Sequence, residues 1–215
     1  MISQEQADAE YNKMLAEKEW DAKYNHFTRI INAPVRYKDK RFTDFIADTK
    51  EKEAVLSEVK EYCENFDSYY RSGKSLFLLG KVGTGKTLMA YIIAHELISK
   101  NVKTKIYRVI DLVKLIRDTW AKDSEKTEKQ QMDYLESLNL LVIDEVGVQS
   151  GTDNEKQILY DILDRRYNAM RPNVLIGNLK RSDLEAQLGT RVFDRLVEGG
   201  EKTIVFNWES HRRVK

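Results

Sequence analysis

The sequence has little cysteine, almost no net charge and no long apolar run. A single cysteine among 215 residues excludes an internal disulfide framework and a cysteine-rich zinc module. No stretch approaches the run of about 18 apolar residues that a membrane-spanning helix needs, and the first residues are too polar and acidic for a secretory signal. We therefore expect a soluble, cytoplasmic protein.

The near balance of charge excludes one class of protein and leaves local patches open. Lysine and arginine number 36 and aspartate and glutamate 35, which excludes a uniformly basic nucleic-acid coat protein. Segment 100–122 nevertheless contains seven basic and two acidic residues, together with Tyr107 and Trp120. Cations and aromatic rings suit single-stranded DNA, so Lys114, Arg117 and Trp120 are candidate contacts. The alternative is an ordinary solvated face.

Apolar sequence is present in short, regularly spaced runs. Hydrophobic residues make up 41% of the chain, which is enough to bury a core. After Lys74, short apolar runs alternate with helical patterns, which predicts an α/β fold with parallel strands buried on both faces. The predicted strands are 75–79, 104–110, 139–143, 173–177 and 203–206. The predicted helices are 87–100, 111–121, about 153–170 and short helices within 182–197.

The first 70 residues have a different pattern. Residues 3–31 lack glycine and proline and predict one long helix, followed by a linker at 33–45 and a helix at about 49–70. An apolar stripe recurs at helical spacing near the end of the first helix, at Trp20, Tyr24, Phe27 and Ile31. Such a stripe either docks a partner or packs on the domain that follows.

The strongest motif is GKVGTGKT, which occupies 80–87 and follows a predicted buried strand. It fits the phosphate-loop pattern, in which glycines let the backbone wrap a phosphate chain and the next helix begins beneath it. Lys86 would reach the β- and γ-phosphates of a nucleotide, and the Thr87 hydroxyl would hold Mg²⁺. A glycine-rich hairpin does not explain the Lys-Thr pair. The candidate nucleotide contacts are Gly80, Lys81, Val82, Gly83, Thr84, Gly85, Lys86, Thr87 and Leu88.

Two further strand ends carry polar residues. Asp144 and Glu145 follow the apolar run 140–143, and the carboxyl ends of strands are where open α/β sheets bind ligands. Asp144 is the expected Mg²⁺ partner and Glu145 is placed to polarise an attacking water. Asn178, after the strand 173–177, is a candidate to orient that water. The alternatives are a surface loop for the carboxylates and a turn-forming role for the asparagine.

Arg191 and Arg195 lie four residues apart on a predicted helix and therefore share a face. Arginine suits bidentate contact with a γ-phosphate, in its own subunit or in a neighbour's. The other interpretation is a solvated surface helix, in which Asp194 pairs locally.

Together these motifs resemble those of replicative helicase loaders of the DnaC type, within the AAA+ ATPases. The resemblance covers about residues 41–215. It is carried by 80–87, by LLVIDEVGVQ at 140–149, by LGTRVFDRL at 188–196 and by FNWESHR at 206–212. It implies a P-loop AAA+ ATPase domain at 41–215 with a parallel five-stranded sheet flanked by helices. An N-terminal helical extension at 1–40 would precede it and is a candidate helicase-binding segment.

The resemblance also implies partners and residue roles. The ligand would be ATP with Mg²⁺, hydrolysed slowly under the control of DNA or a partner, in a cleft completed by a neighbouring subunit of a spiral. Asn178 would be the first polar sensor. One of Arg191 and Arg195 would be the finger supplied in trans, with Arg191 preferred, and the other would sense nucleotide in cis. The partners would be a DnaB-type hexameric helicase and single-stranded DNA, in a protein of phage or prophage origin.

Three other functions share these motifs. A transposition helper ATPase of the IstB type has the same core but binds duplex DNA and a transposase. A nucleotide-gated adaptor would bind ATP with little hydrolysis, which the presence of Glu145 argues against. A small-molecule phosphotransferase would need an arginine-rich lid, and no such segment stands out in the sequence.

Overall fold

The computed structural model of the chain describes residues 10–12, 14–15, 31, 33–147, 152–198 and 200–211. Most of the helix predicted at 3–31, including Trp20, Tyr24 and Phe27, lies outside these residues. Those that are described from it are helical, and Ile31 is buried. No helix within the described residues is both long and apolar enough to cross a membrane.

The chain divides into two units, Met1–Asp39 and Lys40–Lys215. Described residues of the first unit include the short 3-10 helix Val35–Tyr37, which begins directly after Pro34. The second unit opens with another short 3-10 helix, Phe42–Asp44.

Strands and helices alternate through most of the second unit. The strands are β1 (Ser75–Gly80), β2 (Thr104–Arg108), β3 (Leu140–Val146), β4 (Asn173–Gly177) and β5 (Glu201–Phe206). The helices are α1 (Lys50–Glu64), α2 (Phe66–Ser72), α3 (Lys86–Ser99), α4 (Val109–Arg117), α5 (Glu128–Ser137), α6 (Asp153–Asn168), α7 (Arg181–Leu188) and α8 (Thr190–Glu198). A 3-10 turn, Asp118–Trp120, follows α4.

The five described strands form one parallel sheet in the order β2-β3-β4-β1-β5, which confirms the predicted α/β fold. Successive residues of a strand point to opposite faces, and β1 shows this directly. Phe77 and Leu79 pack with α4, α5, α6, α7 and α8, whereas Leu76 and Leu78 pack with α1, α2 and α3. Both faces of the sheet are therefore covered, and only its edges and strand ends remain for ligands.

Three helical regions differ from the sequence-based prediction. The helix predicted at 111–121 is α4, which ends at Arg117, followed by the separate 3-10 turn Asp118–Trp120. The helix predicted at 49–70 is two helices, because the chain bends at Asn65, where the side-chain amide donates to the Glu61 carbonyl 3.0 Å away. Helix α5 was not predicted. It is strongly polar and buries only Gln131, Met132 and Leu135, so its apolar period is faint, although Thr127 and Gln130 form a capping box at its start.

Arg166 on α6 is completely buried and holds three elements together. Its guanidinium donates to the carbonyls of Leu135, Leu138 and Pro172 at 2.6, 3.0 and 2.7 Å, and to Asn173 Oδ1 at 2.7 Å. Burial lowers the pKa of the guanidinium to about 9, so it is charged at neutral pH. The carbonyl and amide oxygens around it compensate for the lost hydration. This residue ties α5 and the start of β4 to α6.

Candidate functional site

The phosphate loop (80–87) connects the end of β1 to the start of α3 at the carboxyl edge of the sheet. Gly80 has a φ of 137°, and a Cβ atom placed there would lie 2.2 Å from the Phe206 carbonyl oxygen of β5. Only glycine permits that approach. Helix α3 begins at Lys86 with no side-chain cap from Gly85, so no capping side chain occupies the N–H groups of its first turn, which stay available to an anion.

The side chain of Lys86 is buried inside the loop. Its Nζ atom donates to the Gly80 carbonyl at 2.8 Å and to the Lys81 carbonyl, and it lies 3.3 Å from Thr84 Oγ1. These hydrogen bonds hold the ammonium, a compact positive charge, against the backbone of the phosphate loop. Of the other predicted contacts, Lys81 and Val82 are exposed and Leu88 packs partly against the core.

Thr87 and Asp144 meet across the sheet edge, although 57 residues separate them in the sequence. The Thr87 hydroxyl donates to Asp144 Oδ2 at 2.9 Å, and the other carboxylate oxygen accepts from the Glu145 N–H at 2.7 Å. Burial raises the pKa of the Asp144 carboxyl, while these hydrogen bonds and the nearby charge of Lys86 act to lower it. A hydroxyl and a carboxylate in contact are the hard oxygen donors that Mg²⁺ prefers.

Glu145 occupies an irregular position in β3. The register between β3 and β4 shifts between Ile143 and Val146, and Glu145 has a φ of 63° with an exposed side chain. A residue other than glycine with a positive φ is uncommon. A β-bulge, in which one strand has an extra residue, often redirects a side chain beside an active site. The bulge turns the Glu145 carboxylate away from the ladder of the sheet, next to the buried Asp144.

Asn178 follows β4, which lies between β1 and β3 in the sheet. The residue is exposed at the same carboxyl edge as the phosphate loop and Asp144. The strand order therefore places Asn178 between the ends of the two motif-bearing strands. Its part in orienting a water stays a prediction.

Arg191 and Arg195 share one face of α8, and both contact α6. The Arg191 guanidinium stacks 5.5 Å from the ring centroid of Tyr160, and Arg195 stacks 5.5 Å from that of Tyr167 while pairing with Asp164. The last turns of α6 lead towards the start of β4, whereas the phosphate loop lies at the carboxyl edge. The contacts of Arg195 therefore place it away from its own phosphate loop, which gives no support to a cis sensing role.

The candidate DNA contacts lie on and after α4. Lys114 is exposed and Trp120 is 52% exposed, with its indole N–H donated to Glu128 Oε2 at 2.6 Å. The Arg117 guanidinium donates twice to Asn154 Oδ1, at 3.1 and 2.9 Å. Some of the hydrogen-bond donors on this surface are therefore already bonded within the chain. The exposed parts of Lys114 and Trp120 stay the best candidates for contact with DNA.

Two aromatic residues beside the phosphate loop have no role that was predicted from the sequence. The indole N–H of Trp208 donates to the Thr84 carbonyl at 3.1 Å, and the Phe45 ring lies where a Cβ atom on Gly85 would come within 3.2 Å. Phe45 ends the segment predicted as a linker, and Trp208 follows the last predicted strand. The sequence signal that could have indicated Trp208 was the FNW run directly after that strand.

The family of the chain follows from its sequence as a whole. The model of the family described as IstB-like ATP binding protein matches residues 12–215. The chain belongs to this family. A chain of the IstB-like ATP binding family with a phosphate loop of this geometry has ATP as its expected ligand.

Curated relatives of this IstB-like chain include helicase loaders. It is 36% identical over 158 residues to the replicative helicase loader DnaC of Escherichia coli K12, a match that covers 74% of this chain and 63% of DnaC. It is 35% identical over 159 residues to DnaC of Buchnera aphidicola subsp. Baizongia pistaciae, with the same two coverages. The match therefore spans less than two thirds of the length of these relatives.

Solved structures support the fold assignment. A crystal structure of the DnaC helicase loader superposes with a TM-score of 0.70 at 19% identity, covering 80% of this chain and 99% of that one. AMPPCP-bound DnaA from Aquifex aeolicus superposes with a TM-score of 0.63 at 21% identity, covering 80% of this chain and 50% of DnaA. The second unit of the IstB-like chain thus has the P-loop AAA+ ATPase fold, as predicted.

Proposed function

We propose that the chain is a cytoplasmic ATPase that loads a hexameric replicative helicase of the DnaB type onto single-stranded DNA. The contact between Thr87 and Asp144, beside the buried Lys86, supports the ATPase part of this proposal. The 36% identity to E. coli DnaC supports the loading part. In this scheme residues 41–215 are the ATPase domain and 1–40 are the helicase-binding extension.

The nucleotide would lie over the loop with its phosphates between the N–H groups of α3 and the Lys86 ammonium. Thr87 and Asp144 would hold Mg²⁺, because they supply a hydroxyl and a carboxylate at one point of the sheet edge. Bound there, the ion would neutralise charge on the β- and γ-phosphates. The raised pKa of Asp144 reflects burial, and a neighbouring cation would favour its charged form.

Glu145 and Asn178 would act on the attacking water. Glu145 is exposed and turned out of the β3 ladder, so its carboxylate can accept a proton from a water placed in line with the γ-phosphate. Asn178 lies at the end of the strand between the two motifs and has both a donor and an acceptor for that water.

Arg191 would complete the site of a neighbouring subunit. It is exposed on α8, its contact is with Tyr160 on α6, and a head-to-tail spiral brings such a surface to the next subunit's nucleotide. An arginine supplied in trans can stabilise the charge of the transition state and thereby raise kcat by a factor of about 1,000 or more.

A complementation assay tests this trans role. We expect Arg191→Ala, with an intact phosphate loop, and Glu145→Gln, with an intact finger, each to be nearly inactive alone. Mixed in equal amounts, they should recover about a quarter of wild-type turnover by random head-to-tail assembly. A mixture of Glu145→Gln with Lys86→Ala is the control, because neither chain has an intact site. No recovery in the first mixture would place Arg191 outside the shared site.

The helicase contact would involve the apolar stripe of the extension, and the DNA contact would involve Lys114, Arg117 and Trp120. Aromatic residues at helical spacing suit docking into an apolar groove. An exposed tryptophan beside basic residues suits stacking with single-stranded bases.

A loading assay tests the function directly. Purified DnaB-type helicase is added to circular single-stranded DNA with ATP, and the helicase retained on the circles is measured with and without the chain. We expect the amount of helicase retained on the circles to rise several-fold only when both the chain and ATP are present. Paired changes at Trp20 and Phe27 to serine should remove helicase binding but spare DNA binding, and Trp120→Ala should do the reverse. Unchanged retention with the wild-type chain would reject the loader.

The IstB-type transposition helper is the second candidate, since the matching family model is described as IstB-like ATP binding protein. It makes the opposite prediction about nucleic acid. Tighter binding to duplex than to single-stranded DNA, with ATP-dependent stimulation of a transposase, would favour the helper over the loader.

A further inference from the structure

The segment 207–211 returns across the phosphate loop after β5 ends at Phe206. The Trp208 indole donates to the Thr84 carbonyl at 3.1 Å, and the His211 backbone N–H donates to the Gly83 carbonyl at 3.1 Å. On the surface, Lys81 Nζ pairs with Glu209 Oε1 at 2.6 Å. The segment thus bonds to the outer side of the loop at two consecutive carbonyls.

The two carbonyls matter because of the geometry of a trans peptide. In each peptide plane the carbonyl oxygen and the following N–H point in opposite directions. The Gly83 carbonyl, bonded to His211, therefore directs the Thr84 N–H away from the segment. The Thr84 carbonyl, bonded to Trp208, directs the Gly85 N–H away in the same manner. In a phosphate loop, N–H groups on the inner side cradle the phosphates.

We propose that the segment 207–211 is a brace for the phosphate loop, with Trp208 and the His211 amide as positioning groups. They orient the N–H groups of Thr84 and Gly85 towards the phosphates. The inference rests on the proposed function, since it concerns nucleotide binding at that loop. A loop whose peptide planes are preset loses less entropy on binding.

Packing holds the brace in place. The Trp208 ring lies 5.2 Å from the Phe206 ring and meets the Phe45 ring edge-on at 6.2 Å between centroids. Ser210 sits so close to Gly83 that a Cβ atom on the glycine would lie 2.0 Å from the serine Oγ. Loop and brace are therefore fitted to each other, and the indole has little freedom to direct its N–H elsewhere.

The first test separates the indole N–H from the ring. Trp208→Phe keeps an aromatic ring against Phe45 and Phe206 but removes the donor to Thr84. We expect the KM for ATP to rise about three- to tenfold, the worth of one such hydrogen bond. The kcat should be unchanged because Asp144 and Glu145 are untouched. A role in folding alone would lower the thermal unfolding midpoint without this split between KM and kcat.

The second test separates the His211 amide from its side chain. His211→Ala keeps the backbone N–H and sets the baseline for His211→Pro, which removes it. We expect the proline variant to bind ATP about three- to tenfold more weakly than the alanine variant. Equal affinity of the two, together with a wild-type KM for Trp208→Phe, would overturn the brace.

The outcomes also distinguish the brace from the proposed function. If the wild-type chain binds no ATP, and Lys86→Ala changes nothing, the nucleotide site itself is wrong. If the wild-type chain binds ATP and Lys86→Ala strongly weakens binding, while both brace variants behave as their controls, only the brace is rejected.

Discussion

Alanine in place of Lys86 should weaken ATP binding by about 100-fold or more, since hydrogen bonds to charged groups are worth about 1.5–3 kcal/mol each and this ammonium can make more than one. The effect should be large because the ammonium is buried and held by the carbonyls of Gly80 and Lys81. A water molecule that fills the space left by the ammonium carries no positive charge and so cannot replace its attraction for the phosphates. Titration of a fluorescent ATP analogue measures the change.

The neighbouring lysine is the matched control for this experiment. Lys81→Ala removes the same charge from the same loop, but its ammonium is exposed and pairs with Glu209 on the surface. Exposed pairs contribute only about 0–1 kcal/mol, so affinity should fall far less than in Lys86→Ala. Comparable losses in both variants, or wild-type affinity in Lys86→Ala, would show that buried Lys86 is not the phosphate ligand.

Glutamine in place of Glu145 should leave ATP binding intact and slow turnover by about 100-fold or more, the range expected for a lost general base. The amide has nearly the shape of the carboxylate but cannot accept a proton from water. Binding should survive because Lys86, Thr87 and Asp144 do not depend on the Glu145 side chain for their contacts. Phosphate release under saturating ATP measures the rate.

Glu53→Gln provides the matched charge change at a distance. Glu53 lies exposed in the first turn of α1, a helix that packs on the sheet face opposite α6 and α8. The ATP turnover of the Glu53→Gln variant should equal that of the wild-type chain. If Glu145→Gln also turns over at the wild-type rate while binding ATP normally, the water is activated by another group, and Glu145 leaves the catalytic set.

Much of the fold was predictable because its signals are local. A buried strand is a short apolar run, and the phosphate loop is a contiguous motif, so Leu76–Leu79 and Lys86 could be placed from neighbouring letters alone. Helix α5 escaped because its few buried residues give a weak period, and the break at Asn65 escaped because asparagine is tolerated in helices.

The candidate site was predictable as a set of residues but not as an arrangement. Strand-end positions indicated that Asp144 and Asn178 share an edge with the loop, since parallel strands end together. The left-handed bulge at Glu145 was not predictable, because a shift in register depends on the partner strand β4. The same holds for Arg195, whose ion pair with Asp164 requires α8 to lie against α6.

The amino-acid sequence alone thus establishes the α/β class, the phosphate loop and the identity of the polar residues at the strand ends, because each depends on residues that adjoin in the chain. Contacts over long sequence separations required the folded chain. These include the hydrogen bond from Thr87 to Asp144, the buried guanidinium of Arg166 and the hydrogen bond from Trp208 to the loop. Each joins segments brought together only by the order of strands in the sheet and by the helices packed on its two faces.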